Sequence, residues 1–67
     1  MNAAQAAALA KLEVERARFS ARFPNQWIAV SANDIVGAAP SFEPLAADPN
    51  IDPARVVFAF IAVGAWA

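Results

Sequence analysis

The chain has 67 residues, 60% of them hydrophobic, with five basic and six acidic side chains, no histidine and no cysteine. That length excludes two domains and a deep enzyme cleft with its own supporting shell, and the lack of cysteine excludes a disulfide framework or a thiolate metal site. A domain of this size buries only roughly 60% of the surface its unfolded chain exposes, so part of the apolar excess is expected to meet another surface.

The alanine-rich start, Met1 to Ala10, has no basic n-region and no run of large aliphatics, so it does not read as a secretory signal. No proline interrupts the first 23 residues, and about Asn2 to Arg22 read as one long helix of strong helix formers. At about 100° per residue, Leu9, Leu12, Phe19 and Phe23 share a core stripe, with Arg16 inside it. Roughly opposite lies a second strip, Ala3, Ala10, Val14, Ala17 and Ala21. It is either a seat for a closely approaching backbone or ordinary alanine surface. Lys11, Glu15, Arg18 and Arg22 form the wet third face. Glu13 and Glu15 beside Arg16, Arg18 and Arg22 point to a solvated, salt-bridged helix rather than a phosphate-binding patch.

Phe23-Pro24-Asn25 ends the helix, because the residue before proline is pushed out of the α region and proline cannot continue the ladder. Gln26 to Ser31 reads as a strand, Ala32-Asn33-Asp34 as a hairpin loop, and Ile35 to Ala38 as the returning strand, with Gly37 marking a bulge or a close approach. Ser41 is placed to cap a short helix through about Ala47, with Pro44 in its first turn. A turn-rich connection, Asp48 to Pro53, leads to a third strand from Arg55 to about Val63. The run Val56 to Ala67 has no polar side chain, yet a membrane span needs about 20 residues, and Asp52 and Arg55 close it off. A buried strand is expected there, and no membrane partner.

The expected fold is therefore α+β: a long helix over 1–23, then a ββαβ core over 26–63 with a three-stranded antiparallel or mixed sheet in order 2-1-3, and a tail at 64–67. On the third strand Val57, Ala59, Ile61 and Val63 point one way and Val56, Phe58 and Phe60 the other. With helices on one face only, one of those rows is left facing water.

Phe23-Pro24-Asn25-Gln26-Trp27-Ile28-Ala29-Val30 resembles the aromatic-Pro-Gly-Lys-Trp-Val-Ala-Val segment of a family of small prokaryotic domains of unknown function. Ile51-Asp52-Pro53-Ala54-Arg55-Val56 is similar to the Gly-x-Asp-Pro-x-x-Val segment that opens the last strand in that family. The similarity spans roughly Arg18 to Ile61, with Asn25-Gln26 where Gly-Lys is usual and Pro49-Asn50 where a helix ends on glycine. It implies the ββαβ order and no activity, since the family has no established chemistry.

Candidates for catalysis are few. Histidine, cysteine and tyrosine are absent, which removes the usual general base, the thiolate nucleophile and the imidazole ligand. Ser20, Ser31 and Ser41 have no basic partner at a recognisable spacing. Asp48 and Asp52 supply oxygens but not the glycine turn of a calcium loop, and two glycines cannot make a phosphate loop. No enzyme, cofactor, metal or small-molecule substrate is expected. Trp27, Trp66, Phe58 and Phe60 would serve as base-stacking platforms only within an electropositive groove. With a net charge of −1 and no basic run, nucleic acid is not the expected partner. All four read instead as core or interface anchors, with Phe58, Phe60 and Trp66 as the expected interface residues and Trp66 either reaching into a partner or folding back over its own sheet.

The leading expectation is a non-enzymatic structural or interaction subunit whose alanine strip and open sheet face are buried by protein. That protein is either a second copy or a larger assembly, such as an enzyme complex or a phage particle. A small regulatory, antitoxin-like domain associated with nucleic acid is the alternative. The expected location is the cytoplasm or the inside of a virus-like particle.

Overall fold

The computed structural model describes residues 1–63. Two helices, α1 (Ala3–Val14) and α2 (Arg16–Arg22), precede a hairpin of β1 (Trp27–Val30) and β2 (Ile35–Ala39). A short helix, α3 (Phe42–Ala46), and a last strand, β3 (Val57–Phe60), follow. The fold is α+β. Its three-stranded sheet has the order β2-β1-β3, with β1 antiparallel to both neighbours. That is the strand order expected from a hairpin followed by a crossover.

The expected single helix is divided. Glu15, at φ −103° and ψ 14°, leaves the α region between α1 and α2. The hydrogen-bond path runs through it: the Glu15 amide donates to the Lys11 carbonyl and the Phe19 amide to the Glu15 carbonyl, at 3.0 and 2.9 Å. No glycine or proline marks the bend, so it has no local cause of the usual kind. Leu12 before it and Phe19 after it share one buried cluster. The core stripe is also rotated from its expected position. Ala8 is buried with Leu12 and Phe19, while Leu9 is exposed; the small Ala8 side chain brings the helix backbone close to what lies beneath.

The start of α1 is fixed twice. Asn2 and Gln5 form a capping box, the Gln5 amide donating to Asn2 Oδ1 at 2.8 Å and the Asn2 amide to Gln5 Oε1 at 3.1 Å. The same two side chains reach the loop before β3, Asn2 Nδ2 donating to the Ala54 carbonyl at 2.8 Å and Gln5 Nε2 to the Pro53 carbonyl at 3.1 Å. Ser41 does occupy the N-cap of α3, but its side chain makes no cap hydrogen bond.

Two cores form, one on each face of the sheet. On the first, Leu12 and Phe19 pack on Ile28, Val30 and Ile61, with Phe23, Ile35, Ala38 and Ala59 at the margin. On the second, Leu45 of α3 and Ile51 of the following loop pack with Ala29 and Val56, joined by Trp27, Ala39 and Phe58. This corrects the expectation that helices cover one face only. The row Val56 and Phe58 is roofed by α3 and its loop. Small residues make the room: a Cβ on Gly37 would stand 2.9 Å from Ile51 Cδ1 and 3.1 Å from Leu45 Cδ2, the close approach its glycine allows. A bulge sits beside it. Ala29 pairs with Gly37 but Val30 with Ile35, so Val36 is the extra residue, and Ile35 is transferred to the first core.

Asn25 takes a left-handed φ of 57°, a conformation that asparagine and glycine tolerate best. Its Oδ1 then accepts the Val63 amide at 3.1 Å, a bond glycine could not make.

The β1–β2 loop is tied to the helices by charge. Asp34 Oδ1 accepts the Ile35 amide at 2.7 Å and Arg18 Nη2 at 3.3 Å, and Arg18 also pairs with Glu15. The Ile35 amide first, and Arg18 after it, hold the Asp34 carboxyl below its ordinary value. The Glu15 hydrogen bond raises the Arg18 guanidinium above its own. A carboxyl depressed in the folded state adds stability at pH values above its unfolded pKa, and that contribution is lost as pH falls through the folded value. Asp34→Asn is therefore expected to reduce the loss of stability between neutral pH and about pH 3, read from urea midpoints at each pH. An acid limb identical to that of the parent chain would show that Asp34 is not a source of it.

Candidate functional site

Four aromatic side chains converge at one end of the sheet, on the α3 side. Trp27 on β1 stands directly opposite Phe60 on β3 in the strand register, and their rings meet at 5.7 Å and 61°. Phe42, the first residue of α3, lies 5.2 Å from Trp27 at 63° and 5.2 Å from Phe58 at 77°. All three contacts are edge-to-face, a geometry worth about 0.5–1.5 kcal/mol per pair beyond the area buried. The cluster is held in place from below, because Trp27 and Phe58 also pack on the second core. Yet none of the described residues covers it from above: Phe42 is 38% exposed and Phe60 46%.

The expected interface residues divide between two sides of the molecule. Ala3, Ala10, Val14, Ala17 and Ala21 are all exposed on α1 and α2, Val14 to 80%, on the helix flank turned away from the sheet. Phe60 is exposed on the α3 side, and Phe58 there is half-buried beneath Phe42 rather than open to water. One flat partner cannot cover both sets. Trp66 lies outside the described residues. Phe42 was not among the expected anchors; the structure packs its ring against Trp27 and Phe58.

Charge is displaced from the rings. Arg55 lines a shallow cleft with Ala4, Ser31, Ala32 and Asn33, beside the β1–β2 loop and the start of β3. The rings gather at the other end of that strand. An electropositive stacking groove would need both at one place. The remaining basic residues sit on α1 and α2, where Arg16 pairs with Glu13 at 3.4 Å. Arg18 and Arg22 lie over the rings of Phe19 and Phe23 at 4.9 and 5.4 Å.

The carboxylates of the 48–53 loop are committed to turns. Asp48 Oδ1 accepts the Asn50 amide at 2.9 Å and Asp52 Oδ1 the Ala54 amide at 3.0 Å, Asx turns that shape the loop and bring Ile51 into the second core. Among the described residues no three acidic side chains gather as a metal site. No helix among them is long and apolar enough to cross a membrane.

No family model, curated protein or solved structure matches the chain. The best-defined surface feature is thus the aromatic patch itself.

Proposed function

We propose that this chain is a non-enzymatic interaction subunit that buries the patch of Trp27, Phe42, Phe58 and Phe60 against protein, in a homo-oligomer or a larger assembly. The observation that supports this reading is the exposure of Phe42 and Phe60 within a cluster whose ring contacts are already fixed. Single exposed apolar side chains are ordinary on any protein surface, whereas a contiguous apolar patch marks an interaction site. Rings pre-set by their neighbours lose little side-chain freedom on binding, and aromatic residues dominate interface energetics.

Light scattering at micromolar concentration is expected to report a species heavier than the 7.1 kDa chain. The double substitution Phe42→Ser with Phe60→Ser is expected to weaken that association at least tenfold while the helical circular dichroism signal persists. A folded, freely soluble monomer of the parent chain would overturn the reading.

A further inference from the structure

We infer that the partner at this patch is a second copy of the chain, joined through the free edge of β3 so that two three-stranded sheets become one of six strands. This rests on the docking role of the aromatic patch and adds the occupant and the geometry.

The direction of the backbone groups carries the inference. The Ile61 amide donates to the Gln26 carbonyl at 2.9 Å, and the Ile61 carbonyl accepts the Asn25 amide at 2.7 Å. Both polar groups of Ile61 therefore face β1, as does the Val63 amide, which reaches Asn25. In an antiparallel ladder that orientation alternates residue by residue. Ala59 and Val57 face inward toward β1, and the N–H and C=O of Phe58 and Phe60 face outward. Among the described residues nothing pairs with them. These are hydrogen-bonding groups that another strand satisfies and a flat apolar surface does not.

The two sheet edges differ in how well they are protected. β2 carries the bulge at Val36 and is followed by Pro40, both devices that discourage strand addition. β3 has neither. From Val56 to Val63 no residue is charged, so antiparallel pairing of this segment with itself opposes no like charges and offers nothing to select a charged partner.

Self-pairing about a two-fold axis is isologous, and outward-facing residues must pair with outward-facing residues. A register centred on Ala59 sets Phe58 of each copy opposite Phe60 of the other. Both α3 faces then lie on one side of the joined sheet, and the cross-strand row of Trp27 and Phe60 continues into the partner's aromatic rings. The exposed ring surface and the unpaired edge are satisfied by one contact.

The test uses the full chain made by chemical synthesis, with the Phe60 amide N-methylated in one version and the Phe58 amide in another. Each modification leaves every side chain intact and removes two symmetry-related hydrogen bonds. Sedimentation equilibrium of the parent chain is expected to give twice the monomer mass, and either N-methyl version to dissociate at least about tenfold more readily. In the parent chain, the Phe58 and Phe60 amides are expected to exchange slowly with deuterium when concentrated and quickly on dilution, while the Ala59 amide stays protected in both conditions. Association that N-methylation leaves unchanged but Phe42→Ser abolishes would overturn the edge pairing and leave the aromatic docking surface standing. A parent chain that remains monomeric would overturn both.

Discussion

Phe19→Ala is expected to leave the chain without a cooperative fold at room temperature. Phe19 is fully buried, with Ile28 and Val30 as the other large side chains that lose all contact with solvent. It joins α2 to both β1 and the segment after β3 through Ile28, Val30 and Ile61. Truncating a buried phenylalanine to alanine costs about 3–5 kcal/mol, the transfer term plus the cavity left behind. A core this small rarely supplies more than about 3–5 kcal/mol in all, so the loss equals or exceeds what holds the domain together. The expected result is a featureless thermal trace by circular dichroism. Val14→Ala, at a position 80% exposed, is the matched control and should change stability by no more than about 0.5 kcal/mol. A Phe19→Ala chain with a sigmoidal transition near the parent midpoint would mean that the first core does not depend on α2.

Leu45→Ala is expected to uncover the second face while leaving the first intact. A five-residue helix does not persist alone in water, so α3 stays formed because Leu45 docks it over Gly37 beside Ile51, with Phe42 packed on Trp27 and Phe58. Because α3 can detach instead of holding a cavity open, the cost falls at the low end of the range for leucine truncation, about 2 kcal/mol, which leaves the first core folded. The consequence reaches function, because α3 carries Phe42, which touches both Trp27 and Phe58. In a Trp66→Phe background, which leaves Trp27 as the one indole of the chain, releasing α3 should move the Trp27 emission toward that of a hydrated indole and raise the binding of an apolar dye. Association should lose its defined stoichiometry. Unchanged Trp27 emission, together with an unchanged denaturant midpoint, would show that the second core is not held by Leu45.

The candidate surface was partly legible. Alternation along β3 separates Phe58 and Phe60 from Ala59 and Ile61, since side chains on a strand point to opposite faces in turn, and the clusters divide in that way. Phe42 was not legible as a member. Its place beside Trp27 depends on where α3 lands, and a short connection after β2 is compatible with either face. The small side chains of Ala29, Gly37 and Ala39 were the available signal, because they leave a hollow on one side of the hairpin that a leucine and an isoleucine can fill. Ile51 was hidden for a similar reason: it sits among prolines, aspartates and an asparagine in a loop, and only the Asx turns of Asp48 and Asp52 carry it inward.

Opposite charges near one another in the chain read correctly as a salt-bridged helix, but the sequence shows only half of what they do. Arg18 also spans from α2 to Asp34 in the β1–β2 loop, a contact between residues far enough apart that no local spacing announces it. The bonds from Asn2 and Gln5 to the loop before β3 are of the same kind. The Asn-x-x-Gln spacing encodes the capping box, and folding alone presents the Ala54 and Pro53 carbonyls to it.

The amino-acid sequence by itself determined the kinds of element and the strand order. Proline positions delimit the regular segments, and a hairpin followed by a crossover returns the last strand beside the first. Only the tertiary structure decided which face each helix covers, where the long helix bends, and which part of the apolar excess stays in water. Those outcomes depend on how small and large side chains fit across the sheet, a property of surfaces in contact that no single segment carries. Part of the surplus that 67 residues could not hide has thereby gained a location: the rings of Phe42 and Phe60 on the α3 side, beside the outer edge of β3.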